Sequence, residues 1–203
     1  MRRRGNRTIR KYASVLTVGA IISACSAGSA PQTWPTGTDV TVGIVPDAPG
    51  LEVNPITSTG FEISLMDNVA SSLDIITTTH PETAAERQPD LQNHIVDIVI
   101  GAYSITPQRN AQGVDFAGPY LVTKDAFLVK STDNSFANAG AVAGKHICVV
   151  TDTTGETTVQ TGFPGTTTFT TRDTSQECVD ALHDGTVDEI GRASCRERVF
   201  ALV

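Results

Sequence analysis

One short apolar run places the strongest constraint on the fold. Residues 95–100 read IVDIVI, which is nearly continuous apolar sequence without the alternation of a half-exposed strand. Such a run is typical of a strand covered on both faces, as in a parallel sheet flanked by helices. The sequence therefore predicts an α/β protein with mainly parallel sheets, in which ligands bind at the carboxyl ends of the strands.

Strands and helices are predicted to alternate around this run. Residues 40–45 form a β-rich run before a turn rich in proline, and residues 66–73 place apolar side chains at helical spacing. Two later helices open with T-x-x-E capping boxes at residues 153–156 and 174–177, and Gly185 is expected to end the second. The other predicted elements are a helix around Leu91 and strands at 126–129, at 147–150 and from Val187 onward.

The distribution of charge argues against nucleic-acid binding. Residues 1–24 carry six cations and no acid, whereas residues 25–188 carry six cations against twenty acids, a net charge of −14. This acidic body would repel a phosphate backbone and contains no basic cluster. It holds only three arginines, so each is a candidate for a specific task. The four histidines lack metal-ligand spacing, and no metal or cofactor is expected.

The N-terminal segment has the three-part pattern of a bacterial export signal. Residues 1–24 run from a basic stretch to a short apolar run and small residues, and ISAC at 22–25 resembles a lipobox. An ordinary secretory signal, cut near residues 24–27, is the alternative. The lipobox predicts that Cys25 becomes a lipidated N terminus on the outer face of the cytoplasmic membrane. Residues 25–37, rich in small and polar residues, would then be a flexible tether.

The C-terminal segment differs from the sequence before it. Residues 189–199 read EIGRASCRERV, which resembles the translation of a common short-read sequencing adapter. Three arginines arrive together there, directly after a regular helix, turn and strand start at 181–188. A genuine basic C-terminal helix is the alternative. We interpret residues 189–203 as adapter read-through and expect the native sequence to differ after Asp188.

Two parts of the chain carry a family resemblance. Residues 96–129 contain a strand, I-T-x-x-R and V-D-F-x-x-P-Y, and residues 60–62 read G-F-E. Together with residues 144–154 and 177–188, these motifs resemble the type II periplasmic solute-binding proteins of family 3, which bind polar amino acids. The resemblance covers residues 39–188. It is strongest to actinobacterial glutamate-binding lipoproteins of ABC importers.

This resemblance implies a two-lobed periplasmic-binding-protein-like II fold, truncated in the second lobe. Lobe 1 would span residues 38–125 and a partial lobe 2 residues 126–188, joined by a crossing strand at 118–130, with the return strand beyond residue 188. The lobes would close on a polar amino acid of the glutamate, glutamine or aspartate type. The implied partners are that ligand, ABC permease subunits and the membrane, and the implied role is not enzymatic.

The resemblance also implies a set of ligand-binding residues: Asp47, Arg87, Gly101, Ser104, Arg109, Thr153 and Thr154. Arg109 would bind the ligand carboxylate through a bidentate guanidinium, unless it is a surface arginine paired with Asp115. Arg87 stands where glutamate-type relatives place a basic residue near the side-chain carboxylate. Its alternative is a solvated helix arginine paired with Glu86 or Asp90.

The remaining positions have more local roles in this scheme. Gly101 would let the ligand approach the backbone, and Ser104 would contact the same ligand. Thr153 and Thr154 would present a helix N terminus to the carboxylate, or act simply as caps. Asp47 would bind the ammonium group or a polar side chain, or form a turn. Asp152 departs from the family pattern, which has glycine or serine there.

Cysteine positions and competing functions complete the expectations. The glutamate-binding relatives have cysteines at the positions of Cys148 and Cys178, so the resemblance implies a disulfide, with two buried thiols as the alternative. A sensor domain that binds an amino acid and a periplasmic dehydratase of the cyclohexadienyl type share the same fold. No placed acid or base in the sequence favours the enzyme.

Overall fold

A computed structural model describes residues 35–47, 51, 59–123, 125–133, 135, 139–163, 165, 167–192 and 197–202. The export signal, Cys25 and most of the expected tether lie outside the described residues. The described residues all belong to one compact unit, Trp34–Val203. Among them, no helix has the length and apolar character needed to cross a membrane.

Strands and helices alternate through most of the described chain. In chain order they are β1 (Asp39–Ile44), α1 (Phe61–Leu73), β2 (Ile76–Pro81), α2 (Arg87–Gln92), β3 (Ile98–Tyr103), α3 (Pro107–Ala111), β4 (Asp115–Val122), β5 (Ala126–Val129), a 3-10 helix (Ala139–Val142), β6 (His146–Val150), α4 (Thr154–Gly162), β7 (Thr168–Arg172), α5 (Ser175–Asp184), β8 (Glu189–Arg192) and β9 (Glu197–Leu202).

These strands form two sheets, one in each lobe. The first has the order β2-β1-β3-β9-β4, with β1 parallel to β2 and β3, and β9 antiparallel to β3 and β4. The second has the order β5-β8-β6-β7, with β6 parallel to β7 and β8, and β5 antiparallel to β8. The predicted α/β class and its two lobes are confirmed.

The apolar run that predicted a covered strand enters the sheet later than expected. Strand β3 begins at Ile98, and its first four residues, 98–101, are buried. Ile95 is half-exposed, and the Asp97 carboxylate accepts a hydrogen bond of 2.8 Å from the backbone N–H of Thr41. The residues of the run before Ile98 are therefore not part of β3. They connect the chain to β1 through this hydrogen bond.

One edge strand lies outside the sequence prediction. Strand β2 reads ITTTHP and pairs in parallel with the whole of β1, from Asp39 opposite Ile76 to Ile44 opposite Pro81. Its threonines suit a pleated strand, but the segment lacks an apolar face that would identify it. It becomes a strand because β1 presents an unpaired edge.

The chain passes between the lobes at two places in the described structure. The expected crossing strand at 118–130 is divided, because β4 ends in the first sheet at Val122 and β5 begins in the second at Ala126. A return strand is present beyond residue 188, as expected, but within the adapter-like segment, and the expectation that the native return strand lies in sequence missing from this chain stays a prediction. Strand β9, Glu197–Leu202, returns to the first sheet between β3 and β4.

The adapter-like segment takes part in both sheets, but its first residue fits its surroundings poorly. Glu189 is fully buried, and neither carboxyl oxygen has a hydrogen-bond partner among the described residues. Burial raises the pKa of this carboxyl, because the charged form loses its hydration. A buried carboxyl without a partner is costly. The assignment of residues 189–203 to read-through stays a prediction, and this mismatch is consistent with it.

A disulfide links the helix layer of the second lobe to its sheet. Cys148 in β6 and Cys178 in α5 are fully buried and bonded, with their Cα atoms 5.5 Å apart. The bond lies in the apolar core formed with Leu182, Val187 and Ile190. The disulfide implied by the resemblance is confirmed, and it fixes α5 against the second sheet.

A buried carboxyl follows β2 in the first lobe. Glu82 is 5% exposed and packs against Gly43, where an added Cβ would lie 2.6 Å from its Oε1. Burial, together with the neighbouring Asp90, raises the pKa of Glu82 to about 8, while Arg87 opposes the shift. Glu82 is therefore neutral at and below pH 7, and Gly43 provides the space for its side chain.

Removing the disulfide is expected to destabilise the second lobe. The bond closes a segment with a sequence separation of 30 residues, for which the chain-entropy model gives about 3 to 4 kcal/mol. Urea unfolding of the double variant Cys148→Ala/Cys178→Ala should show this loss. Thiol labelling of the denatured, unreduced wild-type protein should leave both positions unmodified, and two labelled thiols there would contradict the structure.

Glu82 is expected to make stability depend on pH. Its folded pKa of about 8 lies above the usual 4.5, so its favourable contribution is complete below 4.5 and is lost as the pH rises to about 8. The unfolding free energy of the wild type should fall across that window, by a few kcal/mol at most, on the order of 1.4 kcal/mol per pKa unit. Glu82→Gln should flatten this fall.

The neighbouring Glu86 provides a control of opposite sign. Hydrogen bonds from Thr83 lower the pKa of Glu86, so its contribution is present above its usual pKa and is lost as the pH falls. Glu86→Gln should therefore lose stability at neutral pH and little at acidic pH. An unchanged pH slope in Glu82→Gln would show that Glu82 does not titrate in this way.

Candidate functional site

A cleft between the two lobes brings together the residues selected from the sequence. It lies at the carboxyl ends of β1 and β3 in the first sheet and of β6 in the second, as expected for an α/β protein. All of the expected ligand-binding residues line it: Asp47, Arg87, Gly101, Ser104, Arg109, Thr153 and Thr154. The other lining residues are mostly apolar: Val45, Ala84, Ala102, Leu128, Val150, Ser175, Val179, Ile190 and Gly191.

Arg109 is buried and points across the cleft. It follows Thr106, whose hydroxyl caps α3 by accepting from the backbone N–H of Arg109. Its Nη1 donates to the Ser104 carbonyl and its Nη2 to the Asp152 carbonyl, each at 2.9 Å. Within the described residues the guanidinium has no other hydrogen-bond partner, so N–H donors remain for a ligand. Arg109 is therefore not a surface arginine paired with Asp115.

Arg87 is also buried, but its guanidinium is largely occupied by backbone oxygens. Nε donates to the Ala84 carbonyl at 2.7 Å, and Nη1 to those of Gly101 at 3.0 Å and Ala102 at 3.3 Å. Nη2 donates to the Asp152 carbonyl at 2.9 Å. These bonds make Arg87 a tie between segments of both lobes, and it is not a solvated helix arginine.

A tyrosine that the sequence analysis did not select supports both arginines. The Tyr103 ring is fully buried, with the guanidinium carbons of Arg87 and Arg109 at 4.6 Å and 4.2 Å from its centroid. Cation–π contacts of this kind stabilise buried guanidinium groups. Burial raises the pKa of Tyr103, which keeps the phenol neutral. Its position beside Ser104 at the end of the apolar strand was the available sequence signal.

The G-F-E motif positions the carboxyl end of β3. The Glu62 carboxylate accepts from the backbone N–H of Ala102 at 3.0 Å and from the Tyr120 hydroxyl. Ala102 has a φ of +50°, which is uncommon for a residue with a side chain. Gly101 is required by packing, because a Cβ there would lie 2.8 Å from the Val45 side chain. Close contact with β1 therefore accounts for Gly101 without a ligand.

In the second lobe, the turn into α4 presents two different threonines. Thr153 is the N-cap: its hydroxyl donates to the Val150 carbonyl at 2.7 Å and accepts from the Glu156 N–H. The buried hydroxyl oxygen of Thr154, by contrast, has no hydrogen-bond partner among the described residues. Thr153 thus completes the helix, and Thr154 carries an unsatisfied polar group at the cleft.

Asp47 joins the two lobes through a helix terminus. Its carboxylate accepts a hydrogen bond from the backbone N–H of Ser175, the first residue of α5. A carboxylate at a helix N terminus is favoured by the unpaired N–H groups and by the helix dipole. The Thr174–Glu177 capping box, which the sequence predicted, completes the same terminus. Among the described residues, no cluster of three metal-ligating side chains is present.

Comparisons with known proteins agree with this architecture. The family of bacterial extracellular solute-binding proteins, family 3, matches residues 40–193. The chain is 34% identical over 183 residues to the glutamate-binding protein GluB of Corynebacterium efficiens, covering 81% of this chain and 62% of that protein. It is 30% identical over 201 residues to GluB of Corynebacterium glutamicum, covering 91% and 68%. The chain thus spans about two thirds of the length of these relatives.

The fold is shared with solved structures at low sequence identity. An ancestral arginine-binding protein bound to glutamine matches with a TM-score of 0.75 and 23% identity, covering 83% of this chain and 85% of that one. This similarity concerns the two-lobed fold. With the family match over most of the chain, it leads to one conclusion: the chain belongs to family 3 of the bacterial extracellular solute-binding proteins.

Proposed function

We propose that the protein binds a polar amino acid outside the cytoplasmic membrane and delivers it to an ABC transporter. The observation that carries the proposal is the pair of unsatisfied groups at the cleft. Arg109 retains N–H donors, and the buried Thr154 hydroxyl has no partner among the described residues. A free amino acid offers a carboxylate that can accept from both, since a guanidinium binds a carboxylate in a bidentate manner.

Two further groups at the cleft, the Asp47 carboxylate and the N terminus of α4, suit the charged groups of such a ligand. The Asp47 carboxylate lies at the cleft and can attract an ammonium group while it caps α5. The N terminus of α4 at Thr153 and Thr154 favours a negative group. Ligand exchange would require the lobes to separate, because Arg109 and Asp47, both in the first lobe, bond to residues of the second lobe in this conformation.

The proposed ligand class is glutamate, glutamine or aspartate, and the proposed role is binding and not catalysis. Two curated relatives are named glutamate-binding proteins, which supports this class. The proposed partners are ABC permease subunits and, through a lipidated Cys25, the outer face of the membrane. Calorimetric titration of the full chain with these three amino acids tests the ligand class, and the absence of binding for all three would contradict it.

Thr154→Val is expected to weaken ligand binding without reducing stability. The substitution removes a hydroxyl that has no partner within the described protein, so the unfolding free energy should stay constant or rise. The amino-acid affinity should fall by about tenfold, the equivalent of one hydrogen bond to a charged group. Thr157→Val, on an exposed position of the same helix, is the matched control and should change neither quantity. Equal affinity in Thr154→Val and wild type would remove Thr154 from the site.

Cys25→Ser is expected to release the protein from the membrane. The thiol of Cys25 is the proposed attachment point for diacylglycerol, and stable anchoring depends on those acyl chains. After expression in a bacterial host, wild type should fractionate with membranes and the variant with soluble extracytoplasmic protein. Ser26→Ala in the same segment is the control and should stay with the membranes. A wild-type protein found only in the soluble fraction would argue against the lipobox.

A further inference from the structure

The backbone of Asp152 is held in one position by three hydrogen bonds. Its carbonyl oxygen accepts from Nη2 of Arg87 and from Nη2 of Arg109, each at 2.9 Å. Its N–H donates to Glu156 Oε2, also at 2.9 Å. The residue adopts a φ of +56°, a left-handed conformation that aspartate, asparagine and glycine tolerate best. The direction of its Cα–Cβ bond is therefore set by the fold.

This arrangement places a fixed negative charge beside the ligand-binding arginine. The Asp152 carboxylate Oδ2 lies 4.0 Å from Arg109 Nη2. The Asp152 side chain is 46% exposed and that of Arg109 only 9%, so the carboxylate stands at the solvent edge of a buried cation. Its field is weakened by solvent but still reaches the cleft, since screening lengths at physiological salt are about 8 Å.

The Asp152 carboxylate lowers the positive charge that the cleft offers to a ligand. The ionisable groups that line it in the described structure are Asp47, Arg87 and Arg109, with a net charge of one positive unit. Asp152 is not one of these lining residues, but its carboxylate lies 4.0 Å from Arg109 Nη2 and offsets part of that charge. An amino acid with a neutral side chain is a zwitterion without net charge, whereas a dicarboxylic amino acid brings one further negative charge, which the Asp152 carboxylate repels.

We propose that Asp152 is a specificity-determining residue, which disfavours a second negative charge on the bound amino acid and so favours glutamine over glutamate. The inference rests on the proposed function and refines its ligand class. Like-charge juxtaposition is a general means of rejecting a competing ligand. The contribution of Asp152 is its charge alone, because its carbonyl, which binds both arginines, is present in every variant at this position.

Asp152→Asn tests the proposal with minimal structural change. Asparagine keeps the size of the side chain and the left-handed backbone, so only the negative charge is removed. The ratio of glutamate to glutamine affinity, measured by calorimetry on the full chain, should rise about 3- to 10-fold, and the rise should shrink at high salt. Asp152→Gly, which also accepts this backbone conformation, should shift the ratio in the same direction.

Asp184→Asn is the matched control for loss of one negative charge. Asp184 lies at the end of α5, with a side chain 74% exposed, outside the residues that line the cleft. It should leave the ratio within about twofold of wild type, as expected for a screened surface charge. An Asp152→Asn ratio that stays within that range, falls, or matches the control would overturn the inference while amino-acid binding remains. If the wild type binds neither glutamate nor glutamine, the inference fails, and if it also does not bind aspartate, the proposed function fails with it.

Discussion

The contact between the lobes centres on one backbone oxygen, the carbonyl of Asp152, which accepts hydrogen bonds from two buried arginines. Arg87 and Arg109 belong to the first lobe, and Asp152 belongs to the second. A buried guanidinium is tolerated only when its donors are satisfied, and here backbone carbonyls satisfy most of them. The Tyr103 ring supports both cations from within the first lobe. The same contacts hold the cleft closed and decide which donors face it.

Two residues with a left-handed backbone lie at this contact. Ala102 and Asp152 both have positive φ values, and each is held by an acidic side chain that accepts from its N–H, Glu62 for the first and Glu156 for the second. Such conformations persist only where the surrounding structure determines them, and they are frequent at binding sites. In this protein they turn the ends of β3 and β6 toward each other, so that carbonyls and donors converge on one cleft.

Much of the architecture could be predicted, because its signals are local. The T-x-x-E boxes predicted the starts of α4 and α5, and both caps form. Gly185 ends α5 in the left-handed conformation that its lack of a side chain permits. The edge strand β2 and the division of the crossing segment were missed. A polar segment forms a strand only when the edge of a neighbouring strand pairs with it. The residue at which a chain leaves one sheet for another depends on tertiary packing.

The sequence by itself determined the α/β class and the capped helices, and its family resemblance implied seven of the residues that meet at the cleft. Only the tertiary structure decided what each of them does there. Arg87 is bonded to carbonyls 3 to 65 residues away, whereas Arg109 keeps donors without a partner among the described residues. Thr153 caps a helix, whereas Thr154 does not. The physical reason is that a hydrogen-bonding group can serve a ligand only if the fold leaves it unsatisfied, and that depends on partners distant in sequence.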